Sequence, residues 1–109
     1  MDFVEFQELA VQLRRRILDS GVKVDGIFLF GSHARGDAKQ GSDIDFAVLS
    51  RSFGKNTFKE GCLVNLHAVR VHPDIEAIPV SVHDWLDRHA ISPILHEIKK
   101  HGICLTHLP

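Results

Sequence analysis

Apolar residues at helical spacing open the chain. Phe3, Phe6, Leu9, Leu13 and Ile17 recur every three or four positions, and Asp2 with Glu5 forms a capping box ahead of them. Gly21 stands where a left-handed residue closes such a helix. Residues 24–30 then read as a strand that stops at Gly31. From Ser32 to Ser42 the pattern dissolves into a polar, glycine-punctuated loop with room for one helical turn. Alternation returns at 43–49, where Ile44, Phe46 and Val48 take one side of a strand and Asp43, Asp45 and Ala47 the other.

Beyond a turn at 51–55, Asn56 can cap a helix whose stripe is Phe58, Cys62, Leu66 and Val69, and His72-Pro73 ends it. A third strand is expected over 75–82, with Pro79 marking an edge or a bulge. Residues 82–90 are ambiguous and allow a short helix carrying Trp85. Ser92-Pro93 starts the last helix, Gly102 follows it, and 103–105 form a short final strand. The order αββαβ(α)αβ describes an α/β (α+β) fold, a small mixed sheet with helices on one face. One domain spans 1–109, with no repeat, low-complexity tract or linker. Its core would draw on the first helix, Phe28, Phe30 and Trp85.

Charge and composition narrow the function classes. Lys and Arg number 13 against 14 Asp and Glu, for a net charge of -1, so direct nucleic-acid binding through a basic surface is not expected. Arg14-Arg15-Arg16 reads as a solvated helix face. Cys62 and Cys104 form no CxxC pair and sit in apolar surroundings, as reduced core residues of a cytoplasmic protein do. The start carries acids rather than an apolar leader, and no apolar run approaches the roughly 20 residues a membrane helix needs. Histidines are plentiful, but His96 and His101 would lie about 140° apart around a helix and share no ligand.

The chemistry concentrates in FGSHARGDAKQGSDIDFAVL, residues 30–49. Aspartate is a poor strand former, so a strand that begins with two of them makes a local choice unfavourable for folding. Carboxylates at i and i+2 project from one strand face with β-carbons roughly 6–7 Å apart. That spacing suits divalent cations, and one carboxylate can bridge two ions about 3.5–4 Å apart. Hard oxygen donors select magnesium, which takes its remaining ligands from water and phosphate. Gly31 lets backbone approach a phosphate closely, Ser32 adds a hydroxyl, and Arg35 offers a guanidinium matched to phosphate oxygens. No GK[ST] follows, so this is not a Walker A loop. Chance placement of Gly, Ser, Asp and Asp at these offsets has a frequency of about 10⁻⁵ per start, or roughly 10⁻³ over the chain.

Gly31-Ser32, ten residues, then Asp43-Ile44-Asp45 resembles the nucleotidyltransferases of the DNA polymerase β superfamily. Within it the chain is similar to the minimal nucleotidyltransferases, antitoxins of toxin–antitoxin pairs, over essentially its whole length. The resemblance implies AMP transfer from ATP with two Mg²⁺ ions and release of pyrophosphate. Asp43 and Asp45 would be catalytic and metal-binding, and Gly31, Ser32, Arg35 and Ser42 would bind the nucleotide's phosphates. A third carboxylate comes from a following strand. Glu76 is favoured over Asp74, and both lie in DIEAIPV. With no room expected for an acceptor-binding domain, the acceptor would be a small molecule in a shallow cleft or another protein, and the resemblance implies a hydroxyl on a small helical toxin of the HEPN class. Two other readings stand beside it: a non-catalytic module that neutralises a partner by binding, and a small-molecule adenylyltransferase.

Overall fold

A computed structural model of the chain describes residues 1–89 and 92–106. Helix α1 spans Phe3–Asp19. The Asp2 carboxylate accepts from the Glu5 amide at 2.9 Å and the Glu5 carboxylate accepts from the Asp2 amide at 3.4 Å, which is the expected capping box. At the far end Gly21 takes φ 94°, and the amides of Gly21 and Val22 return to the carbonyls of Leu18 and Ile17. That pairing satisfies two of the helix's last carbonyls.

Strand β1 (Gly26–Phe30) leads through the single turn α2 (Ser32–Arg35) to β2 (Ile44–Ser50). Helix α3 (Thr57–Val71) crosses to β3 (Ile75–Ser81), and α4 (Val82–Leu86), α5 (Pro93–His101) and β4 (Ile103–Thr106) follow. The sheet order is β3-β2-β1-β4. Antiparallel pairing joins β1 to both β2 and β4, whereas β2 and β3 are parallel, so the sheet is mixed as expected. The parallel pair requires a crossover, which α3 supplies. Pro79 lies in β3, an edge strand, where a missing N–H breaks no ladder bond. The segment expected at 82–90 is helical only to Leu86, and Ala90 lies outside the described residues.

Helices cover both faces of this sheet, whereas the sequence pattern placed them on one. Phe6, Ala10, Leu13 and Ile17 of α1 and Val64 and Ala68 of α3 pack against Ile27, Leu29, Ile44, Phe46, Val48, Ile75 and Ala77. On the other face Leu95 and Ile98 of α5 cover Phe30, Ala47, Leu49 and Val80. The reason lies in β2, a central strand. Ala47 and Leu49, on the same side as Asp45, are apolar and need cover of their own. Because α4 and α5 are short, that cover is partial, and it stops before the end of the sheet that carries Asp45.

Helix α3 presents the opposite stripe from the one expected. Phe58, Leu66 and Val69 are 80%, 56% and 54% exposed, Cys62 is exposed, and the buried residues are Val64 and Ala68. The helix carries two apolar stripes, and periodicity does not say which faces inward. Valine and alanine allow closer approach to the sheet than phenylalanine and leucine would. Cys104 is exposed as well, so neither cysteine is a core residue. Phe3 is exposed, and Trp85 is half-buried against Phe28, its ring 5.0 Å away. Among the described residues, no helix is long and apolar enough to cross a membrane.

Candidate active site

The central strand fixes the first acid. Asp45 pairs across β2 with Phe30 of β1 on one side and Glu76 of β3 on the other. Register neighbours in a sheet point the same way, so Asp45 and Glu76 share the face that α5 covers only in part. Asp43 is exposed immediately before β2. The start of this strand is locked, because the Ile44 amide donates to the Asp74 carbonyl at 2.8 Å. Asp74 lies in the turn before β3, with its amide 3.0 Å from His72 Nδ1. Thus Glu76 stands beside Asp45 in the ladder, and Asp74 holds the backbone.

Electrostatics set these acids apart. Burial pushes the Asp45 carboxyl above its ordinary range, Glu76 and Asp43 push the same way, and His33 and Arg35 oppose them. No ion pair among the described residues involves Asp43, Asp45 or Glu76. A cluster of like charges with no direct ion pair is unfavourable for the folded chain alone, and such clusters concentrate at functional sites.

Gly31 brings backbone to the acids. Its φ of 74° favours glycine, and a β-carbon there would collide with the Asp45 carboxylate. The carboxylate therefore occupies the space a side chain would need. The amides of Ala34 and Arg35 return to the Gly31 carbonyl at 3.1 and 3.0 Å, which makes α2 a single turn. Ser32 and His33 precede those first bonds, so their amides face outward at the start of the turn. Arg35 Nη1 donates to Glu97 Oε1 of α5 at 2.6 Å, and its Nε to Asp37 at 3.3 Å. Here it ties α2 to α5. Ser42 Oγ accepts from the Lys39 amide at 2.9 Å and closes the loop that delivers Asp43.

Among the described residues, no group of three His, Cys, Asp or Glu side chains is drawn together tightly enough to enclose a metal ion. The donor set nevertheless fits magnesium. It is all carboxylate, unpaired and open on one side, and magnesium completes its shell with water and phosphate oxygens rather than an all-protein cage. A cavity of about 530 Å³ lies elsewhere, at the opposite end of the same face, and is lined by Asp25, Phe28, Leu49, Trp85 and Leu86 among others. Its lining is almost wholly apolar and contains none of the clustered acids.

The sequence profile of the polymerase beta nucleotidyltransferase family matches residues 14–107. The chain belongs to this family. Its sheet and helices also superpose on solved structures. One, provisionally described as a nucleotidyltransferase from Sulfolobus solfataricus, is 19% identical with a TM-score of 0.63, over 94% of this chain and 80% of that one. A toxin–antitoxin crystal structure with AMP-PNP is 24% identical with a TM-score of 0.61, over 93% of this chain and 73% of that one. The toxin–antitoxin pair MntA–HpeT, solved as a mutant with two aspartates changed to glutamate, is 20% identical with a TM-score of 0.57, over 98% and 74%. At these identities the likeness shows the fold. No curated protein matches the chain.

Two residues that the sequence pattern did not single out help to build this nucleotidyltransferase's site. Asn65 of α3 clamps the residue after Glu76: its Oδ1 accepts from the Ala77 amide at 2.9 Å, and its Nδ2 donates to the Ala77 carbonyl at 2.6 Å. A side-chain amide thus stands in for the neighbouring strand that β3 lacks. His33 lies between Phe6, whose ring meets it edge-on at 5.2 Å, and the Ser42 carbonyl, 3.4 Å from Nε2. Its position inside GSHAR was the available signal for His33. An asparagine on a helix carries no periodic signal for an edge strand in register with it.

Proposed function

We propose that the chain transfers AMP from ATP to a hydroxyl on a partner protein, a HEPN-type helical toxin, and so acts as the antitoxin of a pair. The observation that carries this reading is the abutment of Gly31 on Asp45, with Glu76 next to Asp45 in the sheet. It places a phosphate-compatible turn and unpaired carboxylates at one open end of the sheet. Asp43, Asp45 and Glu76 would hold magnesium, a pair of ions when ATP is bound. The bound metal supplies neutralisation of phosphate charge and a lowered pKa for the attacking hydroxyl.

The chain's own groups do the rest. Gly31 and Ser32 receive the β- and γ-phosphates, with Ser42 shaping the loop beside them. Arg35 adds a guanidinium once it exchanges Glu97 for phosphate. The acceptor oxygen forms a bond to the α-phosphorus, the bond from that phosphorus to the bridging oxygen breaks, and pyrophosphate leaves with the electron pair. Glu76 takes the acceptor's proton. Alignment and charge stabilisation supply most of the acceleration. Toxin–antitoxin neighbours, one with AMP-PNP, support the partner class and the nucleotide.

The test is label transfer. With Mg²⁺ and ATP labelled at the α-phosphate, the helical partner should become labelled, and Asp43→Asn with Asp45→Asn should abolish labelling. A toxin neutralised equally well by that double variant, with no label transferred by the wild type, would make the chain a binding module instead. Label appearing only on a small-molecule alcohol would make it a small-molecule adenylyltransferase.

A further inference from the structure

The exposed stripe of α3 and the edge of β3 meet at Glu76. Phe58, Gly61, Cys62, Asn65, Glu76 and Pro79 line one shallow groove of about 470 Å³. Its apolar wall continues along the helix through Leu66 and Val69. At about 100° per residue, Phe58, Cys62, Leu66 and Val69 fall within a sector of about 80°. Lys59 and Arg70 border that sector on the side away from the sheet, and both are exposed. The strip is therefore apolar with a basic margin, and the groove beside it is lined by a carboxylate of the active site.

Two kinds of occupant could use such a place, and the backbone excludes one. A strand added to β3 would need free outward donors. The Ile75 amide already donates to the His72 carbonyl at 3.2 Å, Ala77 is bonded at both its amide and its carbonyl by Asn65, and Pro79 has no N–H. The edge is blunted from Ile75 to Pro79. Gly61 lies at van der Waals range of Pro79, whose Cδ is 4.0 Å from where a β-carbon would be, so the helix runs against that edge. What remains is side-chain packing on α3, which a second helix provides by laying its apolar face on the stripe.

We propose that the acceptor hydroxyl is delivered on an amphipathic helix of the partner, docked along Phe58, Cys62, Leu66 and Val69. Acidic residues on its flank meet Lys59 and Arg70, and its hydroxyl reaches Glu76 at the mouth of the groove. This inference rests on the transfer reading for its chemistry, but the docking can be measured without it. Phe58 is the anchor, since it is the largest exposed apolar side chain of the stripe and lines the same groove as Glu76, and a large aromatic contributes most when buried.

The experiment uses the helical partner of the labelling assay as probe. Titration calorimetry without ATP measures docking alone. Phe58→Asp with Leu66→Asp should weaken binding by about tenfold or more, which corresponds to about 1.4 kcal/mol, while Phe58→Leu stays near wild type. Both substituted side chains are exposed, so the fold should survive, and affinity for Mg-ATP should be unchanged. In the labelling assay the partner concentration at half-maximal rate should rise while kcat holds. In a Cys104→Ser background, the partner should protect Cys62 from N-ethylmaleimide. Wild-type binding and labelling by the Phe58/Leu66 variant would overturn the proposal, as would a wild type that does not bind this partner. So would a wild-type dimer in solution that the variant splits, since the stripe would then serve self-association. Binding that depends on α3 but transfers no AMP would sink the transfer reading and leave the docking intact.

Discussion

Asp25 and Asp45 lie at opposite ends of the β1–β2 pair, and the protein treats them in opposite ways. The Asp25 side chain is 8% exposed and is met on every available side by one residue. It accepts from the Arg51 amide at 2.7 Å, from Nη2 at 2.6 Å and from Nε at 3.1 Å. Those bonds hold its carboxyl below the usual range against the cost of burial. Asp45 has no such partner, and burial together with Glu76 and Asp43 lifts its carboxyl above that range. One aspartate stabilises the fold, and the other is carried at a cost to the fold. The second kind of acid is the one that awaits something from outside the chain.

The contrast predicts opposite signs for one substitution. Asp45→Asn should lower AMP transfer by about 10³-fold or more, as expected if it holds the metal that neutralises the reacting phosphates. In metal-free buffer it should also raise the melting temperature by a few degrees, because a half-buried charge beside two other acids is gone. Label transfer and thermal melts on the same preparations decide the matter. A fall in melting temperature would mean that Asp45 is paired in solution, and the contrast with Asp25 would collapse.

Glycine substitutions sharpen the same point at the next level of effect. Gly31 and Gly36 both have positive φ. Gly36 is left-handed (φ 85°, ψ 13°), where alanine costs roughly 1–2 kcal/mol, whereas Gly31 (φ 74°, ψ -153°) lies in a region essentially restricted to glycine and costs more. Only at Gly31 does the added carbon strike something, the Asp45 carboxylate, whereas Gly36 faces open space. Gly31→Ala should therefore cut transfer by about 100-fold and lower the melting temperature further than Gly36→Ala, which should cut transfer by no more than a few-fold. Equal losses of activity would show that the Asp45 contact does not set the requirement at Gly31.

Much of this contrast could be read from the chain before any coordinates. Asp45 sits in a strand whose other face is Ile44, Phe46 and Val48, Asp43 immediately precedes it, and a strand's period of two fixes the side on which Asp45 projects. The capping box and Gly21 likewise depend on residues close in sequence. What escaped depended on partners distant in sequence. Arg51 faces Asp25 only because β1 and β2 pair, and Asn65 faces Ala77 only because α3 crosses beside an edge strand. The two stripes of α3 are equally periodic, and the choice between them was made by how closely a helix can approach a sheet. The second layer of helices was signalled by Ala47 and Leu49. Next to two aspartates, those residues read as the solvent side of a strand.

The smallest effect belongs to Asp25 itself, and its pH dependence separates it from Asp45 most cleanly. Its carboxyl is depressed in the folded protein below the unfolded value of about 3.9, so near that pH the unfolded chain binds more protons than the native one. Stability from the Arg51 bonds is then fully present above about pH 4 and is lost as pH falls through the folded value. At pH 7, Asp25→Asn should lower the melting temperature by about 5 °C, the size of one ordinary hydrogen bond in a chain this short, because Arg51 is largely exposed and its charge is screened by solvent. As pH falls below about 4 and through the folded value, the wild type should lose that advantage and approach the variant, because the protonated acid and the amide accept equally poorly from a guanidinium. Transfer activity at pH 7 should be untouched. A gap that does not narrow at all as the acid is titrated would show that the Arg51 bonds do not depend on the charge of Asp25, and the two aspartates would differ in position but not in kind.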